Sequence, residues 1–182
     1  PEEARRNDDR ESMMVVNSWA ADYFQHVLHD TDEGLSVGMG YFRERGFTDA
    51  TVRKFALGYC PAKGDAMTMA ALGAGYKEQF LTETGLTIKR ETGGYYDRFT
   101  GRVIFPVYSI SGRVIAFGGR VLKTSDRTAK YLNSPESLIY SKSHSLYGIY
   151  HAKNAIVREN FCILVEGYTD VMRMHQTGIE NV

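Results

Sequence analysis

Apolar residues near the start of the chain recur at helical spacing. Val16, Trp19, Ala20, Tyr23 and Val27 fall on one stripe and predict an amphipathic helix over about 12–29. A second helix is expected over about 36–45, closed by Gly46 after Arg43 and Arg45. Thr48 is placed to cap a third, short helix that turns Val52 and Phe55 inward, with Gly58 ending it. Asp65 is the candidate cap of a fourth helix, and residues 77–83 form a fifth before Gly85. Beyond Gly85 the period shortens. Residues 102–108 and 113–118 are β-rich runs joined by Ser109-Ile110-Ser111-Gly112, which reads as a hairpin. Pro106 inside the first run predicts an edge or a bulge there. A helix returns at about 145–158, then an apolar strand over 161–165, then a helix at about 169–177.

The pattern implies a mixed α/β protein, with an α+β segment over 1–155 and the opening βα unit of a second segment over 156–182. With 43% hydrophobic and 24% charged residues among 182, the chain has the composition of a folded globular protein, and no apolar run is long enough to span a membrane. A polar start without Met, and an end inside a pattern, lead us to expect a piece of a longer protein. Cys60 and Cys162 lie far apart, which suits a reducing compartment and gives no zinc spacing; Cys162, inside the apolar run, is expected to be a packed thiol. Net charge is zero but unevenly spread. Residues 1–33 carry nine acids against three arginines, whereas residues 98–153 carry five Arg and four Lys against Asp126 and Glu136. That polarity points to an anionic partner for the central segment, against the plainer reading of a solvated mixed surface.

Glu166-Gly167-Tyr168-Thr169-Asp170 follows the 161–165 run. A strand ending in Glu, a Gly turn, Thr169 as helix cap and Asp170 in the first helical turn would aim two carboxylates at one spot on the C-terminal edge of a sheet. Two carboxylates suit Mg²⁺, which takes hard oxygen ligands and commonly keeps water and phosphate around it. On spacing alone, an exposed Glu and an Asp that simply suits a helix N-terminus explain the same residues.

The second group is Gly118-Gly119-Arg120 followed by Lys130-Tyr131-Leu132-Asn133-Ser134-Pro135-Glu136. Two glycines would let backbone approach a phosphate, Arg120 and Lys130 supply charge, Tyr131 a stacking ring and Asn133 hydrogen bonds. The competing reading is a glycine bulge and a Ser-Pro turn. Arg98, Arg102 and Lys142 extend the basic set. His26 and His29 lack a third ligand in view and read as surface residues, and Gly73-Ala74-Gly75, with no strand before it, reads as a plain loop.

Taken in order, Tyr96-Asp97-Arg98-Phe99, 101–106, 112–120, 130–136, Leu146-Tyr147-Gly148 and 166–170 resemble the catalytic core of bacterial DNA primases of the DnaG type. The resemblance covers nearly the whole chain from the first predicted helix. It implies a basic N-terminal subdomain followed by the start of a Toprim subdomain. It also implies synthesis of short RNA primers on single-stranded DNA by a cytoplasmic replication enzyme. On this resemblance Glu166 and Asp170 are catalytic and metal-linked, with Mg²⁺ or Mn²⁺ as the ion and the remaining ligands beyond Val182. Lys130 handles nucleotide and template; Arg102, Arg120, Tyr131, Asn133 and Lys142 sit on the nucleotide and template side, with Arg98 a looser match. Expected partners are single-stranded DNA, ribonucleotides and the RNA–DNA primer. A zinc-binding domain and the domain that meets the replicative helicase would lie outside the chain, and the fragment alone is expected to be inactive. Thr100 departs from the family, which often has Arg there. A Toprim nuclease or topoisomerase, and a non-catalytic single-strand binder, remain the alternatives.

Overall fold

The computed structural model describes residues 2–122 and 128–182, so the share of the basic segment contributed by Lys123, Asp126 and Arg127 lies outside the described residues. In chain order the elements are α1 (Glu2–Asp30), a π-helical turn (Gly34–Met39) running into α2 (Gly40–Glu44), α3 (Asp49–Lys54), β1 (Gly58–Tyr59), α4 (Ala66–Gly73), α5 (Glu78–Glu83), β2 (Thr87–Lys89), β3 (Tyr95–Asp97), β4 (Arg102–Tyr108), β5 (Val114–Val121), β6 (Tyr131–Asn133), a 3₁₀ turn (Lys142–His144), α6 (Ile149–Glu159) and α7 (Tyr168–Gln176). The expected mixed α/β class is what forms.

An antiparallel sheet in the order β1-β4-β5-β6 organises the molecule, with β2 and β3 forming a separate ribbon. Both faces of β4 are covered, which is why 102–108 reads as a continuous apolar run rather than an alternation. On one face Ile104 and Phe117 pack with Phe24, Ala20 and Val16 of α1. On the other, Val103 and Phe105 pack with Phe42 of α2, Val52 and Phe55 near α3, and Val171 and Met172 of α7.

Several elements differ from the pattern-based expectation. α1 begins about ten residues early, because residues 2–11 are mostly exposed helix formers that leave no apolar stripe to read. Gly58 does not merely end a helix: it starts β1, and a side chain there would meet Phe24 of α1 at 2.5 Å. Thr48 caps α3 as expected, accepting from Thr51 N at 3.2 Å. Asp65 makes no cap bond to α4; the buried Asp97 does, accepting from Met67 N at 2.8 Å and Thr68 N at 3.0 Å. The expected hairpin closes through Ser109 N to Arg113 O, with Gly112 at φ +88.

Pro106 sits in a strand with neighbours on both sides, yet it is locally unpaired on its ring side. The Arg102 carbonyl accepts from Cys60 N, so by alternation the even positions of β4 face β1, whose pairing ends at Ile104. Residues 161–165 form no strand: their backbone link is Ile163 N to Asn181 O at 2.8 Å, a single bond where a ladder is needed. Phe161, Leu164 and Val165 are consequently exposed, and Cys162 is exposed rather than packed, whereas Cys60 is buried. No helix among the described residues is long and apolar enough to cross a membrane.

Candidate nucleotide and single-strand site

Register assembles the site. Across β5 and β6, Gly118 stands opposite Asn133 and Arg120 opposite Tyr131, so these four share one face of the sheet. Phe105 of β4, paired with Gly118, belongs to the same face. On this face lands Tyr168, the first residue of α7. Its ring stacks on Phe105 at 5.0 Å and 5° and meets Tyr147 edge-on at 4.6 Å. Its hydroxyl donates to Asn133 Oδ1.

Room for that ring comes from Gly118, where a Cβ would stand 2.5 Å from it. Gly119, on the opposite face, makes room for Phe99 and Arg102 in the same way. The glycine pair is therefore neither a phosphate cradle nor a bulge: it lies in regular ladder register and admits packed side chains.

The turn into α7 is capped by Asp170, whose carboxylate accepts from Gly167 N at 3.1 Å. Gly167, not Thr169, occupies the cap position. With 161–165 unpaired, the carboxylates do not stand at a strand tip; Tyr168 anchors the turn to the β4–β5–β6 face instead.

Glu166 and Asp170, both exposed, line a cavity of about 670 Å³ together with Tyr131, Asn133, Lys142 and Tyr168. Lys142 is held at its backbone, where N donates to Glu136 Oε1 at 2.7 Å, leaving its ammonium exposed. Lys130, just ahead of β6, is exposed and outside the cavity lining. Among the described residues no group of three His, Cys, Asp or Glu is placed to hold a metal. His26 pairs with Asp30 on the surface at 2.9 Å, as its isolation suggested.

The remaining arginines divide into two kinds. Arg102 is only 4% exposed, and its guanidinium donates to the carbonyls of Gly119 (3.2 Å), Lys130 (3.3 Å) and Ala129 (2.9 Å). Arg98 Nε donates to the Asn133 carbonyl at 2.9 Å. Both therefore fix the backbone that presents Lys130, Tyr131 and Asn133. Thr100 turns its hydroxyl inward to the Asp97 carbonyl at 2.8 Å and adds no cation. Arg120 is also buried and donates to the Val121 carbonyl at 3.1 Å, but it lies in an aromatic row: its guanidinium is 4.9 Å from the Tyr41 ring centre and 6.0 Å from that of Tyr131, while Arg45 covers Tyr41 at 4.1 Å. The sequence pattern gives no site role to Tyr41, Arg45 or Tyr168. For Tyr168 the available signal is a glycine in mid-strand; for Tyr41 and Arg45, in a short helical pattern, there is none.

A family model for the DNA primase catalytic core, N-terminal domain, matches residues 23–153. The chain belongs to the DNA primase catalytic-core family. It is 42% identical to a DNA primase of Halalkalibacterium halodurans over 178 residues, covering 97% of this chain and 29% of that protein. The RNA polymerase domain of Mycobacterium tuberculosis primase DnaG superposes with a TM-score of 0.88 at 36% identity, covering 94% of this chain and 55% of that domain. A DnaG primase catalytic domain bound to ssDNA superposes with a TM-score of 0.86 at 33% identity, covering 96% and 55%. The chain thus spans less than a third of the length of the curated primases it matches.

Proposed function

We propose that this chain supplies the template- and nucleotide-gripping part of a bacterial primase. That enzyme would build short RNA primers on single-stranded DNA in the cytoplasm, by attack of a 3′-hydroxyl on the α-phosphate of a ribonucleotide. The observation that carries this reading is the shared cavity, in which two carboxylates meet a stacking ring, an amide and an ammonium. The N-terminal part, 1–155, would grip the strand and 156–182 would open the Toprim part; the family match ending at residue 153 supports that division.

Glu166 and Asp170 would hold Mg²⁺ or Mn²⁺, which when bound supplies Lewis-acid stabilisation of phosphate charge. Tyr131, 38% exposed and flanked by Arg120, would stack on a base. Asn133 and Lys142 would meet sugar, base or phosphate, and Lys130 would pair with a phosphate outside the cavity. Arg98 and Arg102 would act one step back, by fixing this backbone. Zinc binding and helicase contact would belong to other parts of the longer protein. A relative captured with ssDNA supports the single-strand partner.

The test is fluorescence anisotropy of a labelled single-stranded oligonucleotide over a salt series. Binding with a steep salt dependence is expected, and Lys130→Ala should reduce the log–log slope by about 0.7 for each phosphate no longer neutralised. A slope unchanged by Lys130→Ala would remove Lys130 from the DNA path, and absence of binding would reject the grip.

A further inference from the structure

Asn133 lines the cavity from β6, and its side-chain oxygen is already taken by the Tyr168 hydroxyl. An amide whose oxygen is held has one orientation left. Its Nδ2 makes no hydrogen bond with any other described residue, and the half-buried side chain is open to the cavity rather than sealed in the core. The Tyr168 ring is held in place: Phe105 lies flat against it, Tyr147 meets it edge-on and its hydroxyl end sits over Gly118.

Resting on the reading of this cavity as a nucleotide site, we propose that Tyr168 is a positioning residue: by holding the Asn133 carbonyl it turns the Asn133 NH₂ into the cavity, making the site select a hydrogen-bond acceptor on the sugar or base of a ribonucleoside triphosphate. The same bond sets the spacing between the Glu166–Asp170 turn and the β6 strip. Tyr168 lies two residues from each carboxylate, so a ligand gripped by Asn133 is held in register with them.

Two measurements on the 182-residue chain test this, one without ligand. In ¹⁵N-labelled protein the Asn133 side-chain NH₂ pair is assigned by its disappearance in Asn133→Ala, and its heteronuclear NOE is compared with that in Tyr168→Phe. Phe keeps the stack on Phe105 and removes only the hydroxyl, and a thermal melt checks that the variant is folded. The pair should be rigid in the parent and mobile in Tyr168→Phe; equal mobility in the two overturns the proposal.

The second measurement is titration with a mant-labelled ATP and Mg²⁺. Tyr168→Phe should weaken binding roughly three- to tenfold, the range of one net hydrogen bond. The double variant should bind no more weakly than Asn133→Ala alone, because Tyr168 acts through Asn133. Additive effects of the two substitutions overturn the proposal. If the parent does not take up the nucleotide, the nucleotide reading fails, and the NOE comparison still decides whether Tyr168 orients Asn133.

Discussion

Gly118 and Tyr168 are two halves of one contact, and neither explains itself alone. A methyl group at Gly118 would stand 2.5 Å from a ring that is stacked on Phe105. Gly118→Ala should therefore destabilise the chain by about 1–3 kcal/mol, the usual range for overpacking. Thermal denaturation should show a drop of roughly 2–4 °C per kcal/mol for a chain of this size. Gly40→Ala is the matched control, since nothing lies within 4 Å of a Cβ there, and its melting temperature should not fall. Arg102 gives a second residue-scale prediction. Its guanidinium binds three backbone carbonyls, so Arg102→Met should lower the melting temperature and weaken DNA binding while leaving the salt slope unchanged. A slope smaller by about 0.7 would instead make Arg102 a direct phosphate ligand. The chemistry of these positions is legible in the sequence, since Arg, Lys, Tyr and Asn fall close together along it. Which of them face the cavity and which hold the backbone is not, because that depends on strand register and on hydrogen bonds closed by residues far away in the chain.

At the scale of elements, α6 and α7 dock on the core around one aromatic ring. Phe55 meets His151 of α6 at 4.7 Å and His175 of α7 at 5.1 Å, with Tyr147 beside them at 6.2 Å. Burial, then the neighbouring His175 and Lys54, bring His151 down from 6.5 to about 4; burial and Lys54 lower His175 as well. Glu180, paired with Lys54 at 2.9 Å, is the acid that faces this group. Both histidines are thus held neutral in the folded chain. As pH falls through 6.5 the unfolded chain takes up protons that the folded chain refuses, so stability present above that pH is lost progressively down to about 4. Thermal melts stepped from about pH 7.5 downward should show this decline. His151→Phe should flatten it, and an unchanged acid limb in that variant would assign the decline to other groups. The docking itself is half readable. Helical spacing marks both helices, and the expected start of α6 at 145 moves to 149 because Gly148 at φ +88 must precede it. The apolar pattern also predicts a strand over 161–165, but apolarity reports only a wish to be buried: a strand forms where partners complete its ladder, and one bond to Asn181 does not.

The whole molecule is a sheet covered on both faces, with α1 on one side and α2, α3 and α7 on the other, and the cavity lies between the β6 edge and the turn that reaches it. The charge polarity seen along the chain is partly cancelled in space. Arg113 of the basic segment makes a paired contact with Glu11 of α1 at 2.7 Å. What remains is a short row of cations and rings beside two carboxylates. A two-metal phosphoryl-transfer centre clamps both the attacking and the leaving oxygen, and that requires more hard ligands than one pair. Among the described residues no third acid, His or Cys joins Glu166 and Asp170 to hold an ion. The 182-residue chain, supplied with template, ribonucleoside triphosphates and Mg²⁺ or Mn²⁺, should therefore bind single-stranded DNA yet form no dinucleotide above the background of a Glu166→Gln variant. Gel analysis of radiolabelled products reads this directly. Product dependent on Glu166 would show that the pair of carboxylates suffices, and would make this chain a polymerase rather than the gripping part of one.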